Sequence, residues 1–137
     1  MKIEFEVSAL IPAKPERVFE AWLDSGKHSA MTGGKALVSA TEGEKFEAWD
    51  QYISGQNLEV EAPRRILQKW RTTEFEEKDE YSLLEILFLP DDEGTLITIH
   101  HSNLPEHGMQ YKQGWVDAYF EPMKAYFSSS KSGTATS

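Results

Sequence analysis

The feature that most constrains this chain is a run of alternating polar and apolar residues over 35–103, followed by one long helical pattern over 106–127. Alternation with a period of two predicts strands, and turn-forming residues divide the run. The predicted strands are 36–40, 45–50, 52–61, 64–73, 81–89 and 95–102. Strands that follow one another through short turns favour an antiparallel meander. Only the final helix is long enough to cover the apolar face of such a sheet, so we expect the sheet to curl around it.

The first thirty residues add one more strand and two short helices. Apolar residues alternate with polar ones over 2–11, which predicts a long half-buried strand. Pro15 can open a helix, and residues 15–23 carry apolar side chains at helical spacing. Ser25 and Gly26 end that helix, and a second short helix is predicted over 27–31. The class is therefore α+β, with a sheet of about six to seven strands.

The last helix has an aromatic face, with apolar residues spaced three and four apart. They are Trp115, Val116, Tyr119, Phe120, Met123 and Phe127. Pro122 lies inside the pattern and removes one backbone hydrogen bond, so we expect a bend there. Residues 128–137 are too polar to offset the entropy of ordering them. We therefore predict one domain over 1–127 and a disordered tail over 128–137.

Composition narrows the classes of function. A chain of 137 residues is enough for one ordinary core, and four Trp, five Tyr and seven Phe supply it. The net charge of −9 repels phosphate backbones, which argues against a nucleic-acid partner. The sequence has no cysteine, so disulfides and thiolate chemistry are excluded. The N-terminus has neither a signal-peptide pattern nor a membrane span, so a cytoplasmic location is expected.

The inward faces of the strands suggest a gap between sheet and helix. Alternation places Ile66 with Trp70, and we expect Ile97, Ile99 and His101 to point inward. The residues expected around the gap are large and partly polar: Trp22, Met31, Trp49, Gln68, Trp70, Phe88, His101, Trp115 and Tyr119. Such a mixed lining suits a ligand pocket. The alternative is that these side chains simply fill the core.

Few residues could carry chemistry. His100 and His101 are adjacent on a strand and point to opposite faces, so they cannot bind one metal ion together. His101 could act as an acid or a base inside a pocket, but no nucleophile, base and orienting group form a set. Phosphate-binding glycine motifs are also missing. We therefore expect no metal, no cofactor and no catalytic residue; a cyclase-like or hydrolase-like enzyme is the weaker alternative.

A short positive segment stands out in this acidic chain. Arg64, Arg65 and Arg71 lie on one predicted strand and could form a strip that docks a protein partner. The commoner role of such charges is to sit in solvent and protect a sheet edge. The acidic run over 74–80 is interpreted in the same way, as a solvated turn.

Four motifs in register resemble a known family. They are Tyr52-Ile-Ser-Gly55, Pro63-Arg-Arg-Ile66 with Trp70-Arg71, Gly114-Trp115, and Tyr119-Phe120. Together with the segments between them, they make residues 1–127 similar to the single-domain relatives of the activator of heat shock protein 90 ATPase, within the START-like (SRPBCC) superfamily.

The resemblance implies the helix-grip fold, in which a curved antiparallel sheet grips a long C-terminal helix. It also implies an apolar small molecule between sheet and helix, so a non-enzymatic ligand-binding domain is the leading hypothesis. The alternative that it implies is a co-chaperone or ATPase activator of a heat shock protein 90 type chaperone. The similarity starts at residue 1, so we expect the separate N-terminal docking domain of the eukaryotic activator to be absent.

Overall fold

A six-stranded antiparallel sheet packs against a C-terminal helix in the computed structural model, which describes residues 2–136 and side chains as far as Ser128. The strands are β1 (Ile3–Ile11), β2 (Lys45–Ala48), β3 (Ile53–Glu61), β4 (Arg65–Thr72), β5 (Ser82–Asp91) and β6 (Gly94–Leu104). Their order in the sheet is β1-β6-β5-β4-β3-β2. Strands β2 to β6 form the predicted meander, and β1 closes its far edge by pairing with β6. The α+β helix-grip fold is confirmed.

Two short helices follow β1, as the sequence predicts. They are α1 (Pro15–Leu23) and α2 (Ser25–Thr32). The Asp24 side chain accepts a hydrogen bond of 2.9 Å from the Lys27 amide, which caps the start of α2. Gly33 ends α2 with a φ of +87°, a left-handed conformation that glycine adopts without strain.

The C-terminal helix, here residues 110–136, has an irregular middle. After a 3₁₀ turn at Glu106–Met109, it comprises α3 (Gln110–Trp115), a π-helical turn (Val116–Phe120) and α4 (Glu121–Thr136). The irregularity lies just before Pro122, where a missing N–H loosens the regular hydrogen-bonding pattern. The predicted disordered tail covers residues 128–137. Side chains after Ser128 lie outside the described part of the chain, so the disorder stays a prediction.

The inward faces agree with the alternation. Ile66, Ile97 and Ile99 are completely buried. The other residues at alternate positions on the same faces of β4, β5 and β6 are also buried: Gln68, Trp70, Ser82, Leu84, Ile86, Phe88 and His101. The core therefore lies between the concave face of the sheet and the helices.

The predicted strand over 36–40 is reduced to a single bridge between Leu37 and Glu47. Two serines of α2 accept hydrogen bonds from two further backbone amides of the segment. The Ala36 amide donates to Ser29 Oγ at 2.8 Å, and the Val38 amide donates to Ser25 Oγ at 2.9 Å. The segment is held against α2 instead of extending the sheet.

Strand β2 is shorter than predicted because the chain turns sharply after Ala48. Trp49, Asp50 and Gln51 have φ angles of +52°, +56° and +75°, so three successive residues adopt the left-handed conformation. Residues other than glycine rarely adopt this conformation. Three such residues in succession end the strand. The turn positions the Trp49 side chain at the site described next.

Candidate functional site

A cavity of about 420 Å³ lies between the C-terminal helix and the β2–β4 end of the sheet. Its lining is mostly aromatic and contains no charged side chain: Trp49, Tyr52, Ile53, Trp70, Gln110, Tyr111, Gly114, Trp115, Ala118 and Tyr119. An uncharged aromatic lining favours flat, apolar ligands.

Three aromatic rings form the inner wall. Trp70 comes from β4, whereas Trp115 and Tyr119 are four residues apart and share one face of the helix. The ring centroids of Trp115 lie 5.6 Å from Trp70 and 4.9 Å from Tyr119. All three side chains are almost completely buried, yet they leave the cavity open beside them.

A second layer of rings supports this wall from behind. The Trp22 ring, from α1, stacks on Tyr119 with centroids 4.9 Å apart and an angle of 26° between the ring planes. Phe88 contacts Trp22 edge to face at 6.3 Å, deeper in the core. Packing against this second layer fixes the orientation of the wall, which is therefore preformed.

His101 holds Trp115 in place. The Trp115 indole can only donate, so its 3.1 Å contact makes His101 Nδ1 an acceptor and places the imidazole proton on Nε2. That nitrogen donates to Ser82 Oγ at 2.8 Å, and the Ser82 hydroxyl donates to the Trp70 carbonyl at 2.7 Å. Burial lowers the pKa of His101 to about 3, with a smaller effect from His100. His101 is therefore neutral at physiological pH and has both nitrogens occupied.

His28 holds Tyr119 in place through a similar buried hydrogen bond. The Trp22 carbonyl, 2.8 Å from His28 Nδ1, can only accept, so Nδ1 carries the proton. His28 Nε2 then accepts from the Tyr119 hydroxyl at 3.0 Å. Burial lowers the pKa of His28 and raises the pKa of Tyr119. Both groups are therefore neutral at physiological pH, and each fixes the other.

Two lining residues, Tyr52 and Tyr111, carry hydroxyl groups that bond to neighbouring side chains. The Tyr52 hydroxyl donates to Glu74, and the Tyr111 hydroxyl lies 2.6 Å from Thr72 Oγ1. His107 Nε2 is 3.4 Å from the Tyr111 hydroxyl. Partial burial raises the pKa of both phenols, so they stay protonated. The cavity lining therefore carries neutral hydroxyl groups among its aromatic rings.

The structure divides the predicted ligand-binding residues into three groups. Trp49, Trp70, Trp115 and Tyr119 line the cavity. Trp22, Phe88 and His101 lie behind its wall. The remaining two lie elsewhere, since Gln68 donates to Asn57 Oδ1 at 2.8 Å and Met31 borders a depression between α2 and α4.

Sequence reasoning missed six lining residues. They are Tyr52, Ile53, Gln110, Tyr111, Gly114 and Ala118. Helical spacing could have found part of this set, since Tyr111 and Ala118 fall on the same face as Trp115. Tyr52 and Ile53 gave no such signal, because they reach the cavity only through the left-handed turn before β3.

The three arginines do not form one continuous strip. Arg65 contacts Glu59, Glu61 and Glu85 at 2.6, 2.9 and 2.7 Å. Arg64 is largely exposed and pairs with Glu61 at 3.0 Å.

Arg71 lies six residues from Arg65 along β4, about 20 Å away in an extended strand. Its guanidinium donates to the carbonyls of Glu76 and Asp79 at 2.8 and 3.1 Å. It also lies over the Phe75 and Tyr81 rings. Each predicted docking residue therefore has local partners.

Metal-binding clusters and membrane-spanning helices are both missing from the described residues. No cluster of three or more His, Cys, Asp or Glu side chains suited to a metal ion occurs within residues 2–128, the part with described side chains. In the described chain, no helix has the length and apolar character needed to cross a membrane.

Comparison with known proteins identifies relatives over most of the chain. Residues 12–128 match the family model "Activator of Hsp90 ATPase homolog 1-like protein". The mouse activator of 90 kDa heat shock protein ATPase homolog 2 is 30% identical over 92 residues, covering 65% of this chain and 27% of the relative. Human homolog 1 is 25% identical over 114 residues, covering 82% of this chain and 33% of the relative. The chain thus spans about a third of the length of these relatives.

A solved structure shows the same architecture. The crystal structure of an HSP90 activator from Plasmodium falciparum superposes with a TM-score of 0.80 at 25% identity. The match covers 90% of this chain and 95% of that one. A Mesorhizobium loti protein at 17% identity has a TM-score of 0.75, which is a likeness of fold.

Proposed function

The chain belongs to the activator of Hsp90 ATPase homolog 1-like family, and from that premise we propose that it is a binding domain for an apolar aromatic small molecule. The observation that supports this most is the preformed cavity of about 420 Å³ with its aromatic wall. Ligand sites commonly have volumes of about 300–1,000 Å³ and a largely apolar lining. An open cavity of this kind favours a ligand site over a fully packed core.

We also propose that the domain is not an enzyme. His101 and His28, the buried imidazoles nearest the wall, have both nitrogens hydrogen-bonded within the protein. Neither is placed to exchange a proton with a ligand, since Trp115 and Tyr119 stand between them and the cavity. No lining residue is a charged acid or base. The arrangement suits holding a molecule more than transforming it.

The Gly114→Leu variant should lose ligand binding while keeping its fold. Gly114 lines the cavity, and a Cβ added there would meet no atom within 4 Å, so a leucine side chain has room to occupy the ligand space. Replacing a helical glycine should also raise helix stability by about 0.5–1 kcal/mol. Ligand-observed NMR with a library of lipids and polycyclic aromatics should show affinity reduced at least about tenfold, which is about 1.4 kcal/mol.

Gly114→Ala is the matched control for that experiment. It makes the same change in the backbone but adds only one carbon, so most of the cavity stays open and binding should persist. If Gly114→Leu is folded and binds the same ligands as strongly as the wild type, the ligand does not occupy this cavity. Binding shifts confined to surface residues would lead to the same conclusion.

We propose a second function, action on a heat shock protein 90 type chaperone, because the family and its structural relative carry that description. The purified chain should then change the ATPase rate of such a chaperone. Charge reversal at the exposed Arg64 should reduce the effect at least about threefold, the scale expected for one rim charge. Steady-state ATPase rates measured against increasing concentrations of this chain are the test.

Lys112→Glu is the control for charge alone, since it makes the same change on the C-terminal helix. Arg65 is less suited to reversal, because its three carboxylate partners would then face a fourth negative charge. Gly114→Leu separates the two functions: an unchanged ATPase effect would show that chaperone action does not need the cavity. An unchanged ATPase rate with excess wild-type chain would contradict the second proposal.

A further inference from the structure

The outer face of the sheet carries three cations at its β2–β4 end. The register pairs Lys45 with Gln56 and Gln56 with Lys69, so both lysines lie in one row on the same face. Arg71 comes two residues after Lys69 on β4 and shares this face. Trp70, between them, points to the opposite side and is buried in the core. The positive patch, defined as Lys45, Lys69 and Arg71, therefore lies on the other side of the sheet from the cavity.

No carboxylate neutralises the positive patch. Among the described side chains, none of its three members forms an ion pair. The hydrogen-bond acceptors of the Arg71 guanidinium are neutral backbone carbonyls. Arg65, on the same face of β4, instead has three carboxylate partners. In a chain with a net charge of −9, an unbalanced group of cations is a local exception that an acidic partner would complement.

Tyr81 brings two of these charges together. The Lys69 ammonium nitrogen and the Arg71 guanidinium carbon each lie 5.2 Å from the centre of the Tyr81 ring. An aromatic face attracts a cation but does not cancel its charge. Tyr81 is 39% exposed, as is Leu83, which pairs with Lys69 in the register. The two charges therefore lie beside exposed apolar surface.

A depression of about 210 Å³ is lined by both lysines of the positive patch. The neutral Ser54 and Gln56 line it from β3, and Glu47 is the acidic residue in its lining. Neighbouring strands lie about 4.8 Å apart, so the backbones of the two lysines are about 10 Å apart across β3. Small-molecule sites commonly have volumes of about 300–1,000 Å³. The smaller depression suits a side chain of a protein partner.

We propose that the outer face of β2–β4 binds an extended acidic segment of a partner protein, with its carboxylates on the positive patch and an apolar side chain against Tyr81 and Leu83. Carboxylates spaced along a segment match charges spread over about 10 Å, whereas a phosphate site gathers its donors around one point. The exposed apolar surface beside the charges is what such a segment would bury. This inference goes beyond both proposed functions and depends on neither.

A fluorescein-labelled peptide of glutamates interrupted by leucines tests the proposal. The wild type should bind it, and the Lys45→Glu/Lys69→Glu double variant should bind it at least about tenfold more weakly, because two surface charges change sign. Raising the salt concentration from about 0.05 M to about 0.5 M should weaken wild-type binding at least about threefold, since salt screens exposed charges. Fluorescence anisotropy measures both effects, and circular dichroism checks the fold of the variant.

Lys14→Glu/Lys112→Glu is the matched control. It makes the same change in net charge at two exposed lysines, one before α1 and one on the C-terminal helix. This variant should bind the acidic peptide within about twofold of the wild type. Gly114→Leu should do so too, because it fills the cavity on the other side of the sheet. Failure of the acidic-segment proposal is therefore distinguishable from failure of the cavity proposal.

A second measurement locates the peptide on the wild type. Backbone amide resonances of Lys45, Gln56 and Lys69 should shift in NMR spectra, and that of Trp115 should not. Equal losses of affinity in the two double variants would overturn the proposal, because net charge alone would then attract the peptide. Equal binding of a control peptide with glutamine in place of glutamate would also overturn it. So would single-stranded DNA that binds the positive patch as tightly as the acidic peptide, since the surface would then select negative charge of any kind.

Discussion

Replacing Gly55 with alanine is expected to lower the free energy of unfolding by about 3 kcal/mol or more. Gly55 pairs with Trp70 across β3 and β4. A Cβ at this position would lie 1.8 Å from the Lys69 carbonyl oxygen and 2.8 Å from the Phe46 ring. The first contact is with backbone, so it cannot be relieved by a side-chain rotation, and the two strands would have to separate.

The same substitution should also disturb the cavity. Trp70 belongs to the inner wall of the cavity and lies on β4, the strand that an added Cβ at position 55 would push away. We therefore expect weaker ligand binding in any folded fraction of Gly55→Ala. This explains in physical terms why a glycine stands in the Tyr52-Ile-Ser-Gly55 motif, where the strands approach too closely for a side chain.

Urea unfolding followed by circular dichroism measures the effect. Gly114→Ala is the matched control, because the same chemical change is made where a Cβ meets no atom within 4 Å. The control should unfold at the wild-type midpoint or above it, whereas Gly55→Ala should unfold at a much lower urea concentration. Equal midpoints for the two variants would show that β3 and β4 can relax around the added carbon.

Much of the fold could be predicted because alternation depends on burial alone. Strands β4, β5 and β6 each place their apolar set inward, and even polar members such as Gln68 and His101 follow the period. Backbone conformation was harder to predict. Nothing in the residue types of Trp49, Asp50 and Gln51 indicates three successive left-handed residues. The predicted β2 therefore ends too late in the chain.

The candidate site was predicted less completely for a related reason. Periodicity tells which face a residue occupies but not how deep it lies. Trp22 and His101 are on the correct side of the sheet, yet they lie one layer behind the rings that line the cavity. Gly114 was missed for a different reason. A residue without a side chain gives no hydrophobic signal, yet Gly114 helps to create the open space of the cavity.

Charge patterns were limited in the same way. Arg65 appears as part of a positive segment in the sequence, but the register of the sheet places Glu85 beside it from β5. Two further carboxylates, Glu59 and Glu61, reach it from β3. A linear count of charges cannot reveal partners from neighbouring strands, so only the fold shows that this charge is locally balanced.

Acidification from pH 7 to pH 4 is expected to remove about 3 kcal/mol of stability through His101. The folded protein keeps this imidazole neutral because burial lowers its pKa from 6.5 to about 3. The unfolded chain binds a proton below pH 6.5, which the folded state does not bind until about pH 3. The contribution to stability is therefore complete above pH 6.5 and declines as the pH falls, by about 1.4 kcal/mol per unit. His28, whose pKa is also lowered by burial, adds an effect of the same sign.

Urea unfolding at several pH values tests this with His101→Gln, which cannot titrate. The slope of its free energy of unfolding against pH should be smaller than that of the wild type between pH 6 and pH 4. The difference should equal the contribution of about one bound proton. His100→Gln removes the adjacent histidine on the outer face and should keep the steep dependence, since the buried imidazole remains. An unchanged slope in His101→Gln would assign the acid sensitivity to other groups. In the folded protein the His101 imidazole becomes protonated only near pH 3, and it can then no longer accept from the Trp115 indole. Because Trp115 lines the cavity, loss of this bond at low pH should weaken ligand binding along with the fold.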